Sequence, residues 1–211
     1  MRERSSSLSN PLRHRNRPIS RRICCLIFPE RAGHHAAGRD PGGIRHPLTY
    51  FKSALDLVLL REQILGPERS DWAFRKYIGD WSFKHPSPSD FFRAMESSGG
   101  EDLSWFWRGW YLNNWTLGMA VEKVRPAEGG WSKGAIITVA NLDRIVMPAV
   151  LDVTFKSSAH QHVQLPAEIW IQKTEAQILL NSNKPVVSIT LDPDHVIPDK
   201  DRHNNVLRVT G

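Results

Sequence analysis

Three small groups of residues in this chain are of types that bind metals or attack substrates, and their spacing decides what each can do. His34 and His35 are adjacent. A zinc-binding helix needs two histidines four residues apart on one face, with a glutamate beside the first. No Glu-x-x-His pattern follows here, so solvated histidines are the simpler reading. Cys24 and Cys25 are the two cysteines of the chain. Neighbouring cysteines rarely bridge each other, and they make neither a disulfide framework nor a CxxC metal pair. Asp192, Asp194 and Asp199 lie in DPDHVIPDKDRHNN. They lack the ligand spacing, glycine and closing glutamate of a calcium loop, so this segment reads as a structural turn.

The elements that would position any site divide the chain in three. Residues 1–46 hold ten Arg, no Lys and three acids, a net charge of +7, whereas residues 47–211 carry 18 basic against 19 acidic residues, a net of −1. All the basicity therefore sits in the first segment. Its Arg, Ser, Pro, His and Gly cannot bury enough apolar surface to offset the entropy of ordering, so a disordered tail is expected. Its apolar run ICCLIF is too short for a signal-peptide core. Several readings of the tail stay open. It has the Arg- and Ser-rich bias of a mitochondrial transit peptide without the amphipathic periodicity. It could bind nucleic acid through phosphates, although no aromatic is interleaved before Phe28. It could also be a solvated linker, or a wrong-frame translation foreign to the fold. No run of about 18 apolar residues exists, so no membrane span is expected.

Residues 47–116 read as helices, and five of the eight tryptophans fall between Tyr50 and Trp110. Pro47 to Leu65 opens near a proline and stops at Gly66-Pro67. Leucines and valine crowd every side of it, which predicts burial. A second helix is expected over 68–84, with Phe74, Tyr77, Ile78 and Trp81 on one apolar face. Ser87-Pro88-Ser89-Asp90 then has the order of a helix start: a serine cap, proline in the first turn and an acid at the third position. That helix ends at Gly99-Gly100. A fourth, from about Asp102, places Leu103, Phe106, Trp107, Trp110 and Tyr111 on one side. Aromatics at such spacing are core packing more often than a ligand platform.

After Trp115 the period changes. Runs rich in Val, Ile and Leu occupy 117–124, 134–141, 149–156, 162–170, 176–181 and 186–191, separated by EGGWSKG, NLDR, KSSAHQ and NSNK. Residues 117–211 are therefore expected to form a small antiparallel β-sandwich. The fold class is α+β.

This order of elements, with the phrases LREQILG, DWAFRKYIGDW, KHPSPSDFFRAMES and DLSWFWRGW, resembles the C-terminal part of the gluzincin metallopeptidases of the M1 (aminopeptidase N-like) family. The resemblance runs from about Tyr50 to the end of the sequence, and GRDP at 38–41 is similar to a further piece of the same family segment. It implies hydrolysis of peptide bonds near the N-terminus of a peptide substrate. It also implies one zinc, held by HExxH and a later glutamate, with the motif's own glutamate as general base. In the family a tyrosine in a Tyr-x-Lys pattern opens a helix and donates a hydrogen bond to the oxyanion of the tetrahedral intermediate. Tyr50-Phe51-Lys52 matches it, which makes Tyr50 the candidate catalytic residue. The sequence departs from the family elsewhere. HExxH, the second-ligand helix and the Gly-rich amine-binding segment are absent, and an intact site would need about 200 more residues upstream. Ser70 stands where resembling chains carry an aromatic, and Gly118 where many carry Asp. A lost aromatic at 70 would leave a hole worth a few kcal/mol.

The expectation is a fragment of an M1-type peptidase, inactive by itself and with no zinc bound to this chain. Two alternatives belong to other classes. A non-enzymatic module would grip a protein or glycan through an exposed Trp72, Trp105 or Trp115, and the Arg-rich tail would bind nucleic acid. A helical part stripped of its neighbours would expose apolar faces and favour aggregation or chaperone binding.

Overall fold

The computed structural model describes residues 52–209, in which four helices precede two antiparallel sheets of seven strands. The first helix, α1, is α-helical over Ser53–Leu59 and continues as a π-helical turn over Leu60–Leu65. It stops at Gly66, whose φ of 80° is open to glycine and strained for other residues. Leu55, Leu59, Leu60 and Leu65 are buried, but Val58 is exposed, so α1 lies against the core rather than inside it.

Helix α2 (Pro67–Trp81) begins with proline in its first turn and ends short of the expected 84. Its buried residues are Ser70 and Ala73. The expected face of Phe74, Tyr77, Ile78 and Trp81 is only partly used. Phe74 and Tyr77 meet Phe91 edge-on at 6.4 and 5.0 Å, while Ile78 points to solvent. The reason is the size of the residues at the contact: Ser70 and Ala73 let α2 approach its neighbour along a different line from the aromatic one. Arg69 fixes that approach. It donates to the Leu65 and Gly99 carbonyls at 2.8 and 3.2 Å and to Glu101 at 2.8 Å.

Helix α3 (Pro88–Gly99) starts as the sequence predicts. The Ser87 N–H donates to Asp90 at 2.9 Å, closing a capping box, and Gly100 ends the helix with a φ of 68°. Helix α4 (Ser104–Trp110) buries Phe106, Trp107, Gly109 and Trp110. Asp102 receives the Ser104 N–H at 2.9 Å ahead of it.

The strands are β1 (Met119–Pro126), β2 (Ala135–Asn141), β3 (Ala149–Phe155), β4 (His160–Leu165), β5 (Glu175–Leu180), β6 (Val186–Leu191) and β7 (Val206–Arg208). One sheet has the order β1-β2-β5 and the other β4-β3-β6-β7, with every pairing antiparallel. Strand β3 shows the period of two, with Ala149, Leu151, Val153 and Phe155 inward and the residues between them half-buried. These side chains, those of β2 and β6, and those of α1 and α4 belong to one continuous apolar core.

One strand expectation is corrected, and one strand was not expected. The run 162–170 is a strand only to Leu165, where Pro166 breaks the ladder and Ala167–Trp170 turns as a 3-10 helix. Strand β7 falls just after the closing run of turn-formers, and three residues on an edge carry too little pattern to be read. The aspartates before it hold the turn as expected. Asp192 accepts the Val196 and Ile197 N–H groups at 2.8 and 3.2 Å and pairs with Arg202 at 3.0 Å. Asp199 accepts from Met119 of β1 at 3.2 Å and from Asp201 at 3.0 Å.

Gly134 leads into β2 with a φ of 123° and a ψ of −173°, a region close to glycine-only. A Cβ there would stand 2.5 Å from the Leu180 carbonyl oxygen on β5. Gly134→Ala is therefore expected to cost about 2 kcal/mol or more, from strain and from displacement of β5. Chemical denaturation measures it, and a loss under about 0.5 kcal/mol, the ordinary surface value, would refute the close approach.

Candidate functional site

Tyr50 lies outside the described residues, as do Cys24, Cys25, His34 and His35. The structure begins two residues later, at the start of α1, and shows what surrounds that end of the helix. The Lys52 ammonium donates to the Asn113 carbonyl at 3.5 Å. The Tyr111 hydroxyl donates to the Ser53 carbonyl at 3.4 Å. Between them Asp56 is 1% exposed. Its Oδ1 and the Trp110 indole N–H are buried without a hydrogen-bond partner among the described residues.

Burial dominates the electrostatics of this cluster. It pushes the Asp56 carboxyl up to about 8, against the opposing pull of Lys52. Burial lowers the pKa of Lys52, with Asp56 acting the other way. The Tyr111 phenol is raised, first by burial and then by the neighbouring carboxylate. A carboxyl held protonated near neutrality donates a hydrogen bond or a proton instead of presenting a negative charge. Asp56 was not singled out from the sequence. The available signal was an acid inside the apolar run ALDLVLL, where a charge has no obvious partner.

The remaining polar constellations are built differently. On the outer side of β3 and β4, Asp152 stands between His160 at 3.2 Å and His162 at 3.7 Å. Among the described residues no three His, Cys, Asp or Glu side chains are placed to hold a metal ion. The sequence also contains no HExxH. Of the tryptophans considered as a binding surface, Trp72 is exposed, while Trp105 and Trp115 are half-buried. Trp115 carries the guanidiniums of Arg108 and Arg144 at 5.5 and 5.7 Å from its ring. Ser70 is buried.

No family model matches the chain, and no curated protein sequence matches it. Among solved structures, the crystal structure of Legionella pneumophila aminopeptidase A in complex with aspartic acid has a similar fold, with a TM-score of 0.55 and 16% sequence identity. The similarity covers 74% of this chain and 18% of that one, so the chain spans less than a fifth of that aminopeptidase's length. At this identity the likeness concerns the fold: the chain is folded like a stretch of an aminopeptidase.

Proposed function

We propose that this chain is the C-terminal portion of an M1-type zinc aminopeptidase, with Tyr50 as the group that donates to the oxyanion of the tetrahedral intermediate. The observation that carries the reading is the coincidence of two signals. The helices and sheets share the fold of part of an aminopeptidase, and in the sequence the Tyr50-Phe51-Lys52 pattern immediately precedes Ser53, where α1 begins. The proposed division is a tail over 1–46, the helical end of a catalytic domain over 47–116 and a sheet domain over 117–211. Zinc and the general base would have to come from residues other than these, so the chain by itself is proposed to be inactive and to bind no stoichiometric zinc.

The test has two steps. DNA upstream of the Tyr50 codon, read in all three frames, should encode HExxH and a later glutamate. Joined to that segment, or to the zinc-bearing part of an M1 aminopeptidase, residues 50–211 should support hydrolysis of aminoacyl anilides. Tyr50→Phe in that protein should then lower kcat by about 10²–10³ with zinc content unchanged, the usual loss for one oxyanion donor. Full activity in Tyr50→Phe would remove the assigned role. Stoichiometric zinc together with aminopeptidase activity in the unextended chain would overturn the proposed inactivity.

A further inference from the structure

A cleft of about 350 Å³, open to solvent, lies where the helices meet the four-stranded sheet. That volume is within the range of small-ligand sites. One wall comes from the π-helical turn of α1, which contributes Gln63 and Ile64. Such turns occur in few helices and are concentrated at functional positions. The cleft is also lined by Gln164 near the end of β4 and by the 3-10 turn that carries Glu168. Trp105 lines the cleft as well, with Pro148 and Pro166 adding apolar surface.

The lining selects by charge. No Lys, Arg or His lines the cleft among the described residues, so an anion would find no counter-charge there. Glu101 is already held by Arg69 at 2.8 Å. Glu168 is exposed and makes no ion pair among the described residues. The amides of Gln63 and Gln164 are likewise uncommitted to other described side chains. A free carboxylate, an indole ring and two amides suit a planar cation on an apolar stem. The carboxylate takes the charge, the ring takes the stem or the cation face, and the amides accept the remaining N–H groups.

We propose that this cleft docks the arginine side chain of an extended peptide segment, with its guanidinium on Glu168 and its stem against Trp105. The site is independent of the peptidase reading and stands or falls separately from it.

The experiment is calorimetric titration of the full chain with the peptide acetyl-Gly-Gly-Arg-Gly-Gly-amide. A citrulline peptide of the same shape without the charge, and a linear glucose oligosaccharide, serve as the other arms. The arginine peptide should bind at least tenfold more tightly than the citrulline peptide. Glu168→Gln, at an exposed position that leaves the thermal unfolding midpoint unchanged, should lower affinity at least tenfold. Trp105→Phe should lower it by a smaller factor while keeping the packing against Phe106. Equal binding of the citrulline peptide, preferential binding of the oligosaccharide, no binding up to millimolar peptide, or an unaffected Glu168→Gln variant would each overturn the proposal.

Discussion

Replacing Trp107 by alanine is expected to remove about 3–5 kcal/mol of stability, the range for deleting a large buried aromatic. Trp107 is the keystone between α3 and α4. Its ring stacks on Phe92 at 4.6 Å with planes 14° apart, and it meets Phe91, Phe106 and Tyr111 edge-on at 5.9, 5.2 and 5.5 Å. Its indole N–H donates to Glu96 of α3 at 2.9 Å. Alanine would leave four rings around a void that they are too rigid to collapse. Trp107→Phe separates the contributions, since it keeps most of the stacking and deletes the hydrogen bond, for an expected loss of about 1 kcal/mol. Urea denaturation followed by circular dichroism gives both values. A Trp107→Ala loss below about 1 kcal/mol would mean that α3 and α4 are held together elsewhere.

Asp56→Asn is expected to change how stability depends on pH. The folded carboxyl titrates at about 8, above its ordinary value of 3.8, so between those limits the folded chain keeps a proton that the unfolded chain releases. Stability from this group is therefore fully present below about pH 4 and is lost as the pH rises towards 8, with a slope of up to about 1.4 kcal/mol per pH unit. Above pH 8 the slope ends. Asparagine does not titrate, so the variant should gain on the parent steadily across that window, reaching a few kcal/mol at its upper end. Near pH 4 the two should be close, or the variant slightly weaker because a buried amide also lacks partners. Melting both proteins from pH 4 to 9 supplies the comparison, and a constant gap between them would show that Asp56 is ionised in the fold. Other carboxylates shift in the opposite direction, as Asp90 does through the Ser87 hydroxyl and N–H, but their contribution cancels in the difference.

Local signals were legible wherever one residue type has one common use. Ser87, Pro88 and Asp90 announced the start of α3, Gly100 its end, and Gly66 the end of α1. The apolar run 149–156 marked strand β3, and the structure shows which of its side chains face inward. Reading failed where tertiary contact overrules the local pattern. The aromatic stripe of α2 looked like a core face, but the small residues Ser70 and Ala73 took the contact. Strand β7 exists because β6 offers an edge, and nothing within Val206–Arg208 records that. The candidate site divides the same way. Tyr50 is marked only by the resemblance to a family pattern and lies outside the described residues. Asp56 was passed over because a single acid in an apolar helix announces a cost without saying where it is met. The cleft at Trp105 was invisible, since its walls are drawn from residues about 100 positions apart.

The bond from Met119 to Asp199 has a consequence for how the protein is made. The first strand of the sheet domain leaves the ribosome 80 residues before the aspartate that anchors its backbone. At the usual elongation speed that is a wait of about 4–16 s. During it, β1 and β2 can pair as a hairpin, but the second sheet stays incomplete because its last strand is encoded later still. The helical part, whose partners all lie before β1 in sequence apart from the core it shares with the sheets, can begin to consolidate first. Nascent chains stalled before residue 199 should therefore hold protease-resistant helices and a cleavable remainder, and the protected segment should extend across β1 only once Asp199 has emerged.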